Sequence, residues 1–321
     1  MLRVQSKNTV PYISFKRNDR LISRPNYSGN GDTFDTFTGL KDKNTLLMDI
    51  GRKMYKKEAI SVGMFDLDNF KSVNELLGYK VGDEFIKAIS EDIFTVAEKH
   101  KIDSYRFGGD EFVVLLFNGA SQEKKTEVIN DILSIVSQNP KIQGKSGDYM
   151  RSAQVLLASY EKDNGKVNSI YEANTRYDIL LDIWNNSTIA KNDLYVQQSL
   201  EDARAKREFT YQSVLEDCIR EESDPKMKKL LTKYQADIEQ ERRNIDEYVF
   251  GKYDRNHETF RLKKWMKDFE QNGFSLTGGI ISFKPTYYEG KQPIDLINDV
   301  GEFLKQGKSS LKGRAYTMEV E

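Results

Sequence analysis

Three acids in this chain are placed so that they could share one chemistry. Asp66 lies at the C-terminal end of the apolar run AISVGMFDL, residues 59–67, and Asp110 and Glu111 lie within YRFGGDEFVVLLF, residues 105–117. The second segment reads first as a hairpin, because glycine supplies positive φ in two-residue loops and aspartate tolerates them. Taken alone, it is a polar turn between buried strands. The run at 59–67, short, apolar and partly β-branched, reads as another buried strand. Neighbouring strands would bring the three carboxylates to one sheet edge. Clustered carboxylates repel each other. Mg²⁺, or Mn²⁺ in its place, is the natural compensation, a hard cation that takes oxygen ligands and leaves room for substrate phosphates. Two such ions suit in-line displacement at phosphorus. Gly108 and Gly109 would let the backbone approach a nucleotide with no Cβ in the way.

The elements that must position these acids follow from pattern and punctuation. A helix is predicted over 43–57. After Asp66-Leu67-Asp68, residues Phe70, Val73, Leu76 and Leu77 fall at helical spacing and Gly78 stops them. A second helix carries Val81, Phe85, Ala88, Ile89 and Val96 on one face, and another covers 121–138. In the lead segment, residues 1–30, PYISF reads as a short strand and PNYSGNG as a loop. Composition shifts after Pro140. Residues 198–250 are strongly charged, with Met227, Leu231, Tyr234, Ile238, Ile245 and Val249 in a narrow helical seam. Asp224-Pro225 breaks this region in two, since proline restricts its predecessor and suits a first helical turn. An antiparallel helical hairpin is expected, and composition alone favours a scaffold or dimer contact. A further helix over 258–270 has Trp265 and Phe269 on one face. The chain ends as a strand over 274–283, an amphipathic helix and the strand RAYTMEV.

Bulk properties narrow the class. The 321 residues include 49 Lys and Arg against 50 Asp and Glu. The net charge of −1 gives no global field for a nucleic-acid polymer or a membrane surface. The single cysteine, Cys218, excludes an intramolecular disulfide and fits a reducing, cytoplasmic setting. His100 and His257 are too far apart in sequence to join one cysteine in a zinc site. No apolar run approaches the ~18 residues of a membrane span, and the N-terminus lacks a signal-peptide core.

With these residues in view, a family resemblance emerges. DLDNFKSVNELLGYKVGDEF, residues 66–85, resembles the nucleotide-binding stretch of GGDEF-domain diguanylate cyclases. RFGGDEFVVLL resembles their signature turn, and DTFTGLKDKNTLL, residues 35–47, their upstream motif. The resemblance implies an α/β fold of palm type, a mostly antiparallel sheet flanked by helices, here with a helical hairpin inserted. It implies synthesis of cyclic di-GMP from two GTP by a nucleotidyltransferase that works as a homodimer. Asp66, Asp110, Glu111 and the Leu67 carbonyl would hold the metal, and Asp110 or Glu111 would help deprotonate the attacking 3′-hydroxyl. Backbone amides near Asn69 and Phe70 would cradle phosphate, and Lys71 would neutralise its charge. Asn74 and Asp83 would read guanine, whose ring N–H and amino group suit a carboxylate acceptor. Singly, Lys71, Asn74 and Asp83 also read as ordinary helix-surface residues.

The departures are specific. Asn74-Glu75 stands where the family has Asn-Asp, and Gly78-Tyr79 where it has Gly-His. The family's product-inhibition Arg-x-x-Asp is replaced by Lys99 and Ile102, so no feedback site of that type is expected. Thr277-Gly278-Gly279-Ile280, Gly307-Lys308 and Gly313-Arg314 match the closing strand, helix and strand, with Lys308 and Arg314 as phosphate partners, but stand far downstream. The domain organisation expected is therefore a catalytic first part over 31–145, a mainly helical insertion over 146–272 and a closing segment over 273–321. A rival placement closes the sheet with residues 153–160 and 189–196 and leaves 198–321 as an appended domain. Two other functions stay open. FKPTYYEGKQPIDL resembles the palm domains of type III CRISPR polymerase-like subunits, which would imply another cyclic product. A non-catalytic GTP-binding or interaction module is the third reading.

Overall fold

A computed structural model describes residues 3–4, 32–117 and 120–320. The short strand expected at 11–15 and the loop at 25–31 lie outside the described residues. The chain divides into two compact units, Met1–Ser152 with Trp265–Glu321, and Ala153–Lys264.

The first unit is built on one sheet. Its strands are β1 (Arg3–Val4), β2 (Ile60–Leu67), β3 (Asp103–Gly108), β4 (Glu111–Phe117), β5 (Leu276–Phe283) and β6 (Ala315–Val320), in the spatial order β1-β6-β5-β2-β4-β3. The helices of the chain are α1 (Lys43–Tyr55), α2 (Phe70–Leu77), α3 (Tyr79–His100), α4 (Gln122–Ser137), α5 (Pro140–Gln143), α6 (Ser146–Asn186), α7 (Thr188–Lys191), α8 (Leu194–Glu221), α9 (Pro225–Ala236), α10 (Ile238–Tyr253), α11 (Asn256–Asn272) and α12 (Pro293–Ser310). Among the described residues, no helix is long and apolar enough to cross a membrane.

β2 is apolar almost throughout because both of its faces are covered. Side chains alternate across a strand, so Phe65 and Leu67 enter one core with Val73, Phe85 and Ile129, while Val62 and Met64 enter the other with Leu46, Ile297 and Val300. Helices α2, α3 and α4 serve the first core, and α1 and α12 the second. A strand buried on both faces loses the polar alternation that a half-exposed strand would show.

β5 lies antiparallel to β2 along its whole length, from Ile60 opposite Phe283 to Leu67 opposite Leu276. It continues through α12 to β6, which runs parallel to it. A parallel pair needs such a crossover. The alternative closing segments are helical: residues 153–160 lie in α6, and 189–196 fall in α7, a turn and the start of α8. Gly278 shows why this strand carries glycine. It stands opposite Phe65, and a Cβ there would come within 2.5 Å of the Phe65 ring.

The boundary of the helical region differs from the expected 146–272. Tyr149 at the start of α6 packs on Phe269 and Phe274, with ring centroids 4.5 and 5.3 Å away, and its hydroxyl hydrogen-bonds Ser72 at 2.7 Å. These aromatic contacts draw the first turns of α6 and the last turns of α11 into the sheet unit.

The second unit has its own core. Leu231, Ile238, Ile245 and Val249 of the charged seam are buried with Val167, Ile170, Tyr211 and Leu215. The seam does not run on one helix. Asp237 ends α9 and caps α10 by accepting from the Gln240 amide at 3.1 Å, so the expected hairpin is a larger helical assembly. Asp224 caps α9 as the Pro225 position requires, accepting from the Lys226 amide at 3.0 Å.

Gly278→Ala is expected to destabilise the protein by about 1–3 kcal/mol through overpacking against Phe65. The urea midpoint checks this, and a second variant, Gly278→Ala with Phe65→Leu, should recover part of the loss.

Candidate functional site

The register of the sheet brings the acids together. Asp66, the penultimate residue of β2, stands directly opposite Glu111 on β4 and Thr277 on β5. β3 and β4 are joined by the two-residue turn Gly109–Asp110, with Gly109 at φ +21°, a conformation that favours glycine. The hairpin reading is therefore correct, and the same turn places Asp110 beside the cross-strand pair.

Arg106 secures this turn. Its guanidinium donates to the Gly109 carbonyl at 2.9 Å and to Asp35 Oδ1 at 3.1 Å. Asp35 also accepts from the Thr38 amide at 2.8 Å and the Thr38 hydroxyl at 2.6 Å. Burial opposes ionisation of Asp35, but the Thr38 and Arg106 bonds outweigh it and hold the carboxyl below its usual range. The upstream motif is thus fastened to the signature turn.

The three central carboxyls are held in the opposite direction. Burial pushes Asp66 up to about 6; Lys308 pulls it down, and Asp110 and Asp68 push it further up. Burial also raises Asp110 and Glu111, with Asp66 adding repulsion at Glu111. Among the described residues neither Asp110 nor Glu111 makes an ion pair. The Lys308 ammonium, from the end of α12, lies on Asp66 Oδ1, 3.2 Å from Asp68 Oδ1 and 3.5 Å from the Leu67 carbonyl. Hard oxygen donors with more negative charge than the local cation balances fit a divalent metal. A cleft of about 440 Å³ opens alongside, lined in part by Asp66, Glu111, Phe107, Asn298, Lys305 and Lys308.

The other expected residues fall nearby in different states. Asn69 sits at φ +58° before α2 and makes no cap bond; its Oδ1 instead accepts from Lys312 Nζ at 2.7 Å. Phe70 is half-buried at the start of α2. Lys71 is exposed and only 3.7 Å from Glu75, an ordinary surface pair. Asn74 is half-buried on α2, and its Oδ1 lies 1.9 Å from where a Cβ on Gly82 would stand. Asp83 is exposed on α3, one residue beyond that glycine. Gly108 pairs with Glu111 at the base of the hairpin. Arg314 contributes its backbone carbonyl, which accepts from the Gly278 amide at 3.0 Å.

Several participants went unassigned in the sequence. Gly82 and Lys312 act through tertiary contacts, and Arg106 through a local bond to Gly109 and a tertiary one to Asp35. Asp68 did leave a signal, the Asp-x-Asp spacing with Asp66. Away from this site, His100, Glu127 and Asp131 also converge. Two ammonium groups already serve them, Lys99 on Asp131 at 2.6 Å and Lys124 on His100 Nδ1 at 2.5 Å, so the positive charge a cation would bring is supplied.

The family model for the diguanylate cyclase GGDEF domain matches residues 32–176. Residues 32–176, less than half of the chain, are thus similar to a GGDEF domain. Diguanylate cyclase A of Treponema denticola is 29% identical over 171 residues, 50% of this chain and 45% of that protein. Diguanylate cyclase DgcS of Shewanella oneidensis is 36% identical over 87 residues, 26% of this chain and 29% of that protein. The chain thus matches less than half the length of these curated relatives. Among solved structures, the coiled coil and GGDEF domain of DgcB from Caulobacter crescentus, in complex with c-di-GMP, aligns at 24% identity over 32% of this chain and 56% of that chain, with a TM-score of 0.29. The family match ends inside α6, whereas the sheet is closed by β5, α12 and β6.

The raised Asp66 carboxyl has a pH consequence. A carboxyl raised in the fold contributes stability below its unfolded value near 4 and loses it as pH rises through about 6. The metal-free melting temperature of the wild type, minus that of Asp66→Asn, is expected to fall between about pH 4 and about pH 7. A flat difference would remove the electrostatic account.

Proposed function

We propose that this chain is a diguanylate cyclase, condensing two GTP into cyclic di-GMP with release of pyrophosphate. The observation that carries the reading is the cross-strand pair Asp66–Glu111 with Asp110 on the adjoining turn. Asp66, Asp110, Glu111 and the Leu67 carbonyl would hold Mg²⁺ or Mn²⁺, which when bound supplies charge neutralisation at the phosphates. Asp110 or Glu111, each with a carboxyl raised by burial, would accept the proton of the attacking 3′-hydroxyl. The 3′-oxygen bonds to the α-phosphorus of the second GTP as the bond to the β-phosphate oxygen breaks. Amides at the start of α2, which Asn69 leaves uncapped, would orient phosphate oxygens, with Lys71, Lys308 and Arg314 as cationic partners. Asn74, set by Gly82, and Asp83 would select guanine.

One site accommodates one GTP, so two copies must face each other with two-fold symmetry. Leu231, Ile238, Ile245 and Val249 of the seam are already buried in the core of their own unit. A sensing role for the 153–264 unit remains compatible with this arrangement.

Incubation of the purified protein with Mg²⁺ and GTP, ATP or both, followed by mass spectrometry, tests the proposal. Cyclic di-GMP from GTP alone is expected. An adenine-containing product would move the assignment to the CRISPR-like palm, and bound GTP without turnover would leave an interaction module. Asp110→Ala and Glu111→Ala are each expected to lower turnover by at least about 100-fold, with circular dichroism unchanged.

A further inference from the structure

Asp68 is held by several donors at this end of the sheet. Its carboxylate is buried and accepts from Ser275 Oγ at 2.7 Å, Thr277 Oγ1 at 2.8 and 2.9 Å, and the Gly313 amide at 3.0 Å. Lys308 Nζ is its fourth donor, at 3.2 Å. The backbone follows the same path, with the Asp68 amide donating to the Ser275 carbonyl at 2.9 Å. Gly313 stands at φ +66°, and a Cβ on it would lie 3.2 Å from Ser275 Cβ, so this turn is shaped for glycine. Its neighbour Lys312 reaches Asn69 at 2.7 Å and Asp268 at 2.7 Å. The 308–313 turn is thereby fastened to the 66–69 loop at three points.

Lys308 consequently lies between two carboxylates of different standing. Asp66 faces the cleft and is one of the acids assigned to the metal. Asp68 is fixed behind it by three donors that are not cations. An ammonium that loses its only partner in a half-buried site pays a desolvation cost, whereas one that keeps a second partner does not.

We propose that Asp68 is a positioning residue that retains Lys308 when a divalent cation takes Asp66, so that the ammonium yields the metal ligand without leaving the site. The proposal rests on the metal reading above and extends it. Without Asp68, Asp66 is the one carboxylate left in an ion pair with Lys308 among the described residues, and the ammonium competes with the metal for it. Without Lys308, that competition disappears.

The test is Mn²⁺ binding to the full chain without nucleotide, followed by electron paramagnetic resonance, with Glu111→Gln as the control for the site. Lys308→Met is expected to bind Mn²⁺ more tightly than wild type. Asp68→Asn is expected to bind it more weakly, by at least about five-fold. The double variant should return to the Lys308→Met value, which a merely structural role for Asp68 would not produce. Unchanged affinity in folded Asp68→Asn, or a double variant as weak as Asp68→Asn, overturns the proposal. If Asp68→Asn does not fold, Lys308→Met decides: unchanged or weaker binding overturns it. Wild type that binds no Mn²⁺, or binds it independently of Glu111, overturns the metal reading and this proposal together.

Discussion

The antiparallel register of β2 on β4 sets Asp66 against Glu111, and the site is organised around that pairing. A slip of one residue would turn Asp66 to the other face and carry every apolar side chain of β2 with it. The register is held by two cores at once: Phe65 and Leu67 are committed to one and Val62 and Met64 to the other. The same burial that fixes the strand desolvates the carboxyl of Asp66 near its end. Placement of the acids and perturbation of their ionisation therefore have one cause.

That placement creates a charge problem, which the chain answers from a distant part of its sequence. Lys308 arrives at the end of α12, 242 positions along the chain from Asp66. The turn that follows is fastened by Asp68 and Asn69. The helical unit therefore lies in sequence between two halves of one electrostatic arrangement. Continuous β2–β5 pairing from Ile60 to Leu67 lets the chain leave and return without losing the sheet. Loop-closure entropy grows only slowly with loop length, so an insertion that folds by itself is compatible with a precise return.

The helical unit shows how one sequence pattern can serve two ends. Spaced apolar residues on charged helices suit a contact with another chain as well as an internal core. The break at Asp237 folds the seam back on itself, against α6 and α8, and the apolar positions are used there. Periodicity reports that a face must be buried but not what buries it.

The sequence by itself determined the parts whose cause is local. Hydrophobic period placed β2, α1–α4, α12 and β6 to within a few residues, the glycines announced the hairpin, and ordered motifs pointed to a GGDEF-domain resemblance and to the acids Asp66, Asp110 and Glu111. Tertiary structure decided the rest. Nothing near Asp68 in sequence shows that Ser275, Thr277 and Gly313 will donate to it. Nothing near Tyr149 shows that Phe269 and Phe274 will hold it in the sheet unit. Nor does Lys308 show locally that it will rest on Asp66. Each of these depends on strands that pair across more than a hundred intervening residues, and long-range pairing is selected by the burial of whole faces rather than by any local preference.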